Sequence, residues 1–489
     1  MKKSVILHIT TYLSGGPGRV YLSTLKFSKN TTDFFAHEFI ILDEKHTTPS
    51  SLKLFSEYSD CIHIGKSDAF IKEKIDKADI VQIDWWNHPL IYNFLTNFTF
   101  PPSRIVLCSH VNGLSRPNII TESLVEFSDV FLATTKATRK HSLFQSETGV
   151  QHHKKLRYVT FPIDFESFGT IQPKTHKDFN VGYIGTFDYS KMHKNFFSMS
   201  AAVDVPKIKF IICDRLDDIG KVKLEAQKYP AGNFQFMGFT ENIKNILEIL
   251  DVFGYPLNTN HFGGGEQVIG EAMYAGLPIV AFSNPPEQEI ISHNETGILV
   301  DDEQSYTEAI KALYLNPNER VRIGMNARRH VMKNFDPIQC FQKLESIYKE
   351  VMRLDKKSRT FRTLTDNDNA SSNDLGARLF IQSLGHQGSE FLQSYKQGGE
   401  GSNTAINKVI EEVETGMKMV TKGSLFQYLY YFPDDAFLNF WAGLISQADN
   451  EVLKRQHISI PRTSAKCFEK AALINPKNKE FKSYLKHSK

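Results

Sequence analysis

The sequence predicts an α/β chain of two Rossmann-like domains followed by a C-terminal α-helical region. Three observations carry that reading. Short apolar runs suited to buried strands alternate with amphipathic stretches from Val5 to about residue 335. Glycine-rich turns follow two of those runs, at Gly15-Gly16-Pro17-Gly18 and at Gly263-Gly264-Gly265. Past a polar stretch at 355–375, strand-like runs give way to helical periodicity. The expected domains are 1–170 and 171–335, then a helical segment at 336–354, a linker at 355–375 and a helical region at 376–489.

In the first domain, strands are expected at 5–10, 38–42, 80–83, 104–108 and 130–133, each followed by a helical or turn segment. Strand, Gly-loop and helix follow one another at 5–10, 15–18 and 20–27, which fits either a plain βα turn or a ligand loop at Gly15 and Gly16. Two strand ends carry polar groups, Asp84-Trp85-Trp86-Asn87-His88 and Ser109-His110-Val111-Asn112-Gly113. Trp85 and Trp86 suit either the face of a sugar or the edge of a sheet, and His88 and His110 either a site or a structural hydrogen bond.

In the second domain, strands are expected from 180, at 209–214, at 234–239, at 252–256 and at 279–282. The stretch 261–281, HFGGGEQVIGEAMYAGLPIVA, is the most informative in the chain. Three glycines leave backbone N–H groups uncovered just before a helix that begins near Gln267 and Val268. A helix N-terminus has unpaired N–H groups and the positive dipole end, so the pattern suits a diphosphate. Glu271 falls in the first turns, where a carboxylate can accept two hydrogen bonds from a ribose diol. Gly276-Leu277-Pro278 ends the helix.

Composition narrows the classes. A chain of 489 residues has length for about two to four domains. Hydrophobic content of 41% and charge of 23% suit a globular protein, and a net charge of +3 is too small to argue for nucleic acid. No apolar run reaches the roughly 18 residues a spanning helix needs. The opening MKKSVILHITT has too short and too interrupted an apolar core for a signal peptide and reads as a strand. Cys61, Cys108, Cys213, Cys340 and Cys467 are scattered singly, as reduced thiols of a cytoplasmic protein would be. Basic runs such as His152-His153-Lys154-Lys155 leave peripheral contact with the inner membrane face open.

The 261–281 segment resembles the donor-site motif of retaining GT-B glycosyltransferases of family four, whose usual form is E-G-F-G-x4-E-A-M-A-x-G-x-P-V-V. EAMYAGLPIV supplies the second half, whereas the first glutamate of the pair falls on Gly263 and the nearest carboxylate is Glu266. The resemblance implies two domains facing a cleft and a helix at 336–354 crossing back to the first, acceptor-side domain. It implies a sugar moved from a nucleotide diphosphate sugar to a glycan, lipid-linked or other hydroxyl acceptor, with retention, in bacterial surface glycan synthesis. No cofactor and no metal are implied. Carried over, His110 lies near the donor sugar, and Gly15 and Gly16 face donor phosphate or acceptor. Gly238 and Phe239 flank the base, and Glu271 holds the ribose. Gly263, Gly264, Gly265, Gln267 and Val268 contact the donor, and Glu266 holds the hexose hydroxyls. Where the family has an arginine this chain has Thr186, so the cation for the diphosphate is assigned to Lys191, then Lys194. A nucleotide-sugar epimerase or hydrolase, or an inactive sugar-binding scaffold, are the alternatives. At the end of the chain, 437–444 and 465–478 resemble the two helices of a tetratricopeptide unit, with Phe468, Ala471 and Pro476 at its spacing. Such a unit would dock on the catalytic domains, bind a protein partner or self-associate.

Overall fold

The computed structural model describes residues 3–31, 34–145, 150–185, 187, 189–213, 225–230, 232–238, 240, 242–365, 372–402, 423–447 and 463–487. It forms two compact units, one of residues 1–134, 138–159 and 344–489, the other of 135–137 and 160–343.

The first unit holds a parallel sheet of seven strands: β1 (Ser4–Thr10), β2 (Phe35–Ile41), β3 (Cys61–Ile64), β4 (Ile80–Trp85), β5 (Ile105–Ser109), β6 (Val130–Ala133) and β7 (Leu156–Tyr158). Their order is β3-β2-β1-β4-β5-β6-β7. The switch between β1 and β4 is where an open α/β sheet offers a ligand crevice at its carboxyl edge. β4 and β5 are buried along their whole length, as strands covered by helices on both faces must be. β3 and β7, which the sequence reading passed over, are short edge strands with partly exposed residues and no apolar run.

The expected tight loop at 15–18 is corrected by the structure. Gly15 to Gly18 form the first turn of the helix Gly15–Thr31. Pro17 has the fixed φ that a first turn accepts, and any Cβ on Gly18 would lie 2.5 Å from the Leu13 carbonyl oxygen.

The second unit holds a parallel sheet of six strands: β8 (Phe179–Ile184), β9 (Ile208–Cys213), β10 (Phe234–Phe236), β11 (Val252–Tyr255), β12 (Ile279–Phe282) and β13 (Gly297–Val300), in the order β10-β9-β8-β11-β12-β13. The helix Gln267–Tyr274 joins β11 to β12. It stops in a Schellman turn, with Leu277 N–H donating to Ala272 O at 3.1 Å and Gly276 N–H to Met273 O at 2.9 Å, Gly276 taking φ +79°. The helix Pro317–Asn334 packs beside that turn so closely that a Cβ on Gly324 would meet the Gly276 carbonyl. Backbone cannot yield as a flexible side chain can. Gly324→Ala should therefore cost about 3 kcal/mol, and a thermal unfolding curve coincident with wild type would refute the close packing.

The chain leaves the second unit within the helix Pro337–Val351. In the first unit Tyr348 of this helix donates to Gln82 Oε1 at 2.6 Å, and Arg157 pairs with Glu350. The stretch expected to be a linker is pinned down where it is described. Ser103 and Lys357 exchange backbone hydrogen bonds at 3.1 Å, Arg359 reaches Asp129 at 2.8 Å, and Phe361 is buried. Its polar residues serve as tethers.

The last helices belong to the first unit. Leu375–Leu384 and Leu425–Tyr431 gather on Asn87, whose Nδ2 donates to Ser383 Oγ at 3.0 Å and whose Oδ1 accepts from Tyr428 OH at 2.8 Å. Ala436–Gln447 packs on Ser464–Ile474, with Gly443 facing the Phe468 ring at a distance no Cβ would allow. Among the described residues, no helix is long and apolar enough to cross a membrane.

Candidate active site

In the second unit, β11 delivers Tyr255 and then runs as Pro256–Asn258 beside Lys191–His193. Asn258 N–H donates to Lys191 O at 2.9 Å and His193 N–H to Pro256 O at 3.0 Å. That pairing holds Lys191 against the glycine loop, where its Nζ donates to Glu266 Oε2 at 2.9 Å. Tyr255 OH donates to the same oxygen at 3.0 Å. The pair is nearly dry, with 11% of the Lys191 side chain and 8% of that of Glu266 exposed. Burial alone would raise the Glu266 pKa, but the attraction of Lys191, with the hydrogen bond from Tyr255, outweighs it and holds the carboxyl below its usual value. Burial, with Glu266 close by, pushes the Tyr255 phenol well up, so it stays a donor.

His261 shapes the loop. Its Nδ1 accepts from Gly263 N–H at 3.0 Å, so its proton sits on Nε2, 3.1 Å from Glu287 Oε2. One of the loop amides expected for the donor is thus already engaged. Glu287 is fully buried, and its Oε1 has no hydrogen-bond partner among the described residues. Tyr255 and His261 were not picked out as site residues from the sequence, although a tyrosine ending the strand and a histidine two residues before the glycines were visible signals.

Gly263 explains the departure from the usual pattern. The space a Cβ on residue 263 would enter is filled by Glu266 Oε1, so the loop folds the Glu266 carboxylate back to where a side chain at 263 would start. Gly264 is buried and Gly265 exposed. Glu266 is the N-cap residue of Gln267–Tyr274; the Gln267 amide donates to Pro162 O at 3.2 Å, and Val268 follows half-buried. Glu271 lies buried on the second turn. A Cβ on Gly270 would strike Ile163, so that glycine lets the helix settle.

Lys194 is exposed and is not part of this cluster. Gly238 takes φ +75° and its carbonyl accepts from the Cys213 thiol at 3.1 Å. Thr186 and Phe239 lie outside the described residues.

In the first unit, His110 follows β5 and its Nε2 lies 2.7 Å from Tyr21 OH and 3.3 Å from Asp84 Oδ1. Gln82 Nε2 donates to that same Asp84 oxygen at 2.9 Å. Asp84 is fully buried, and burial raises its pKa well above the usual value. On its other side Asp84 Oδ2 faces His8 Nδ1 at 3.7 Å, and His8 in turn meets His37 at 2.9 Å. Gly15 and Gly16 are exposed in the first turn of the helix Gly15–Thr31. Trp85 and Trp86 are buried, and His88 is buried as N-cap of Pro89–Asn97, accepting from Leu90 N–H. All three side chains are thus enclosed at the carboxyl end of β4.

Among the described residues, two side-chain groups are compact enough to hold a cation, Asp84 with Cys108 and His110, and the more open Glu122 with Glu126 and His152. In the first group burial favours the protonated carboxyl and thiol, so a cation there would have to displace both protons.

Residues 164–330 match the sequence model of the family described as Glycosyl transferases group 1. The putative glycosyltransferase YtcC of Bacillus subtilis is 27% identical over 135 residues, 27% of this chain and 33% of that protein. The N-acetyl-alpha-D-glucosaminyl L-malate synthase of Bacillus anthracis is 28% identical over 126 residues, 25% of this chain and 32% of that protein. The chain thus spans about a third of the length of these curated relatives. Among solved structures, Anabaena Alr3699/HepE in complex with UDP and glucose superposes with a TM-score of 0.57 at 15% identity, over 71% of this chain and all of that one. A glycosyltransferase from Rickettsia africae gives 0.57 at 15% identity, over 72% of this chain and all of that one. The likeness shows the fold, two Rossmann-like domains of GT-B type with a helical C-terminal region.

Proposed function

We propose that this chain, which carries a glycosyl transferases group 1 domain at 164–330, transfers a sugar from a nucleotide diphosphate sugar to an acceptor hydroxyl. The observation that carries the reading is the buried Lys191–Glu266 pair at the glycine-rich start of the helix Gln267–Tyr274. A leaving diphosphate gathers negative charge as the glycosidic bond breaks. The Lys191 ammonium and the helix N-terminus are placed to stabilise it, and both act before any solvent must reorganise. Glu266, released from Lys191 as the phosphate takes its place, is left to accept from sugar hydroxyls. Glu271 holds the ribose, with Gly264, Gly265, Gln267 and Val268 around the donor. Gly238 and Phe239 take the base side, and Thr186 and Lys194 are read as donor-binding, Lys194 as the second cation after Lys191.

Glu266 fills the space at 263, which supports reading it as the substitute for the glutamate that the usual motif has there. Retention, independence of metal and a role in bacterial surface glycans follow from that same family reading, with His110 serving the donor sugar. The helix pair Ala436–Gln447 and Ser464–Ile474 is read as one tetratricopeptide-like unit.

Calorimetric titration with UDP, GDP and ADP, without added metal, tests the reading. One nucleotide should bind at micromolar Kd, and Glu271→Ala should weaken it at least tenfold by removing about 1.5–3 kcal/mol of hydrogen bonding to a charged group. Absence of binding by all three, or a Glu271→Ala variant equal to wild type, would remove the donor site from this loop.

A further inference from the structure

The helix Leu425–Tyr431 lies outside the residues matching the family model, yet its last turn reaches the carboxyl edge of the first unit's sheet. Tyr431 donates to Asp43 Oδ2, and His46 Nδ1 lies 2.7 Å from the same oxygen. Asp43 sits just past β2, tied to the end of β1 by its N–H on Thr11 O at 2.9 Å. Its remaining oxygen accepts from Lys45 N–H at 3.1 Å, so the buried carboxylate is an anchor. The Tyr431 ring stands edge-on to His88 at 5.0 Å, His88 lies 6.1 Å from Tyr12, and Tyr12 lies 5.2 Å from Trp86. On the outer side Tyr430 is 58% exposed and His46 46%, their rings 6.1 Å apart.

We infer that Tyr430 and His46, held by Tyr431 and Asp43, and Tyr12, held against His88 and Trp86, form a carbohydrate subsite in which the C-terminal helices complete the acceptor side of the transferase. The argument is one of place and chemistry. The carboxyl edge beside β1 is where an open parallel sheet receives ligands. A large aromatic ring left bare there, beside an imidazole, suits the C–H face of a pyranose together with its hydroxyls. His46 turns Nδ1 to Asp43, which leaves its Nε2 as the ring nitrogen to meet a sugar hydroxyl. Asp43 and Tyr431 are positioning residues: they fix the rings and touch no sugar. A carboxylate behind the rings also disfavours an anionic occupant and favours a neutral glycan.

The inference rests on the transferase reading, and the test separates the two. Saturation-transfer NMR is run on the full chain with methyl α-D-glucopyranoside, methyl α-D-galactopyranoside and methyl 2-acetamido-2-deoxy-α-D-glucopyranoside, with UDP binding followed on the same samples. At least one glycoside should bind wild type, and Tyr430→Ala and His46→Ala, both surface changes, should each raise its Kd at least tenfold while leaving the UDP Kd unchanged. Binding of UDP without any glycoside, or glycoside binding indifferent to both substitutions, overturns the subsite alone. Failure to bind UDP overturns the transferase reading and the acceptor assignment with it.

Discussion

Lys191→Ala is expected to lower the rate of sugar transfer by about 10²–10³-fold, the scale seen when one donor to a developing oxyanion is removed. It should also destabilise the second unit by about 3–5 kcal/mol, because Glu266 is left charged and buried without its partner. The two effects are separable. In Lys191→Met/Glu266→Gln both charges are gone and the desolvation cost goes with them, so stability should return to within about 1–2 kcal/mol of wild type. Activity should not return, because neither a cation for the diphosphate nor a carboxylate for the sugar is restored. Lys191→Arg should rescue little, since a planar fork does not fit where a compact ammonium meets Glu266 and lies 5.8 Å from the Tyr255 ring centre. Steady-state kinetics beside chemical unfolding check all three variants. A Lys191→Ala enzyme with wild-type kcat would reduce the pair to a structural strut.

The parts legible in the sequence were those where local pattern and tertiary need coincide. Ile279–Phe282 is apolar, bounded by Gly276-Leu277-Pro278, and buried at every residue, so run length alone located it. The Schellman turn at Gly276 was legible because glycine is the residue that takes φ +79° at no steric cost. The edge strands Cys61–Ile64 and Leu156–Tyr158 were not, since sheet edges need no apolar run. Glycines at 15–18 read as a loop because glycine weakens helices, yet here Gly18 is required by the Leu13 carbonyl and the turn continues into the helix. At the candidate site, sequence placed Lys191 and Glu266 in one region but could not show that the carboxylate folds back over Gly263. His261 with Glu287, 26 residues apart, and Tyr431 with Asp43, 388 apart, are contacts that only the folded chain can make. No local pattern encodes them.

Stability of the C-terminal helices should fall as pH rises from about 4 to 7, through one carboxyl. Asp435 is 2% exposed and caps two helices, its Oδ1 accepting from Leu438 N–H at 2.9 Å and its Oδ2 from Ala377 N–H at 2.9 Å. Burial is the largest influence and raises its pKa; the backbone donors at 438 and 377 pull it down, Asp374 pushes it up again, and the net position is about 7. The folded chain therefore keeps a proton that the unfolded chain loses near 3.8. The native state binds more protons in that window, so stability is fully present below it and lost as pH passes through 7. A displacement of about 3 units corresponds to about 4 kcal/mol at about 1.36 kcal/mol per unit. Other titrating groups drop out when wild type is compared with Asp435→Asn at each pH. The amide keeps one acceptor oxygen and has no proton to lose, so the variant starts below wild type at pH 4 and gains on it by about 4 kcal/mol by pH 8, most steeply up to pH 7. Urea unfolding followed by tryptophan fluorescence, with Trp441 hydrogen-bonded to Ser394 at 2.8 Å in the same helices, supplies the readout. A difference between the two proteins that stays constant from pH 4 to 8 would mean that the two capping N–H groups hold Asp435 ionised throughout, and that burial does not win at this carboxyl.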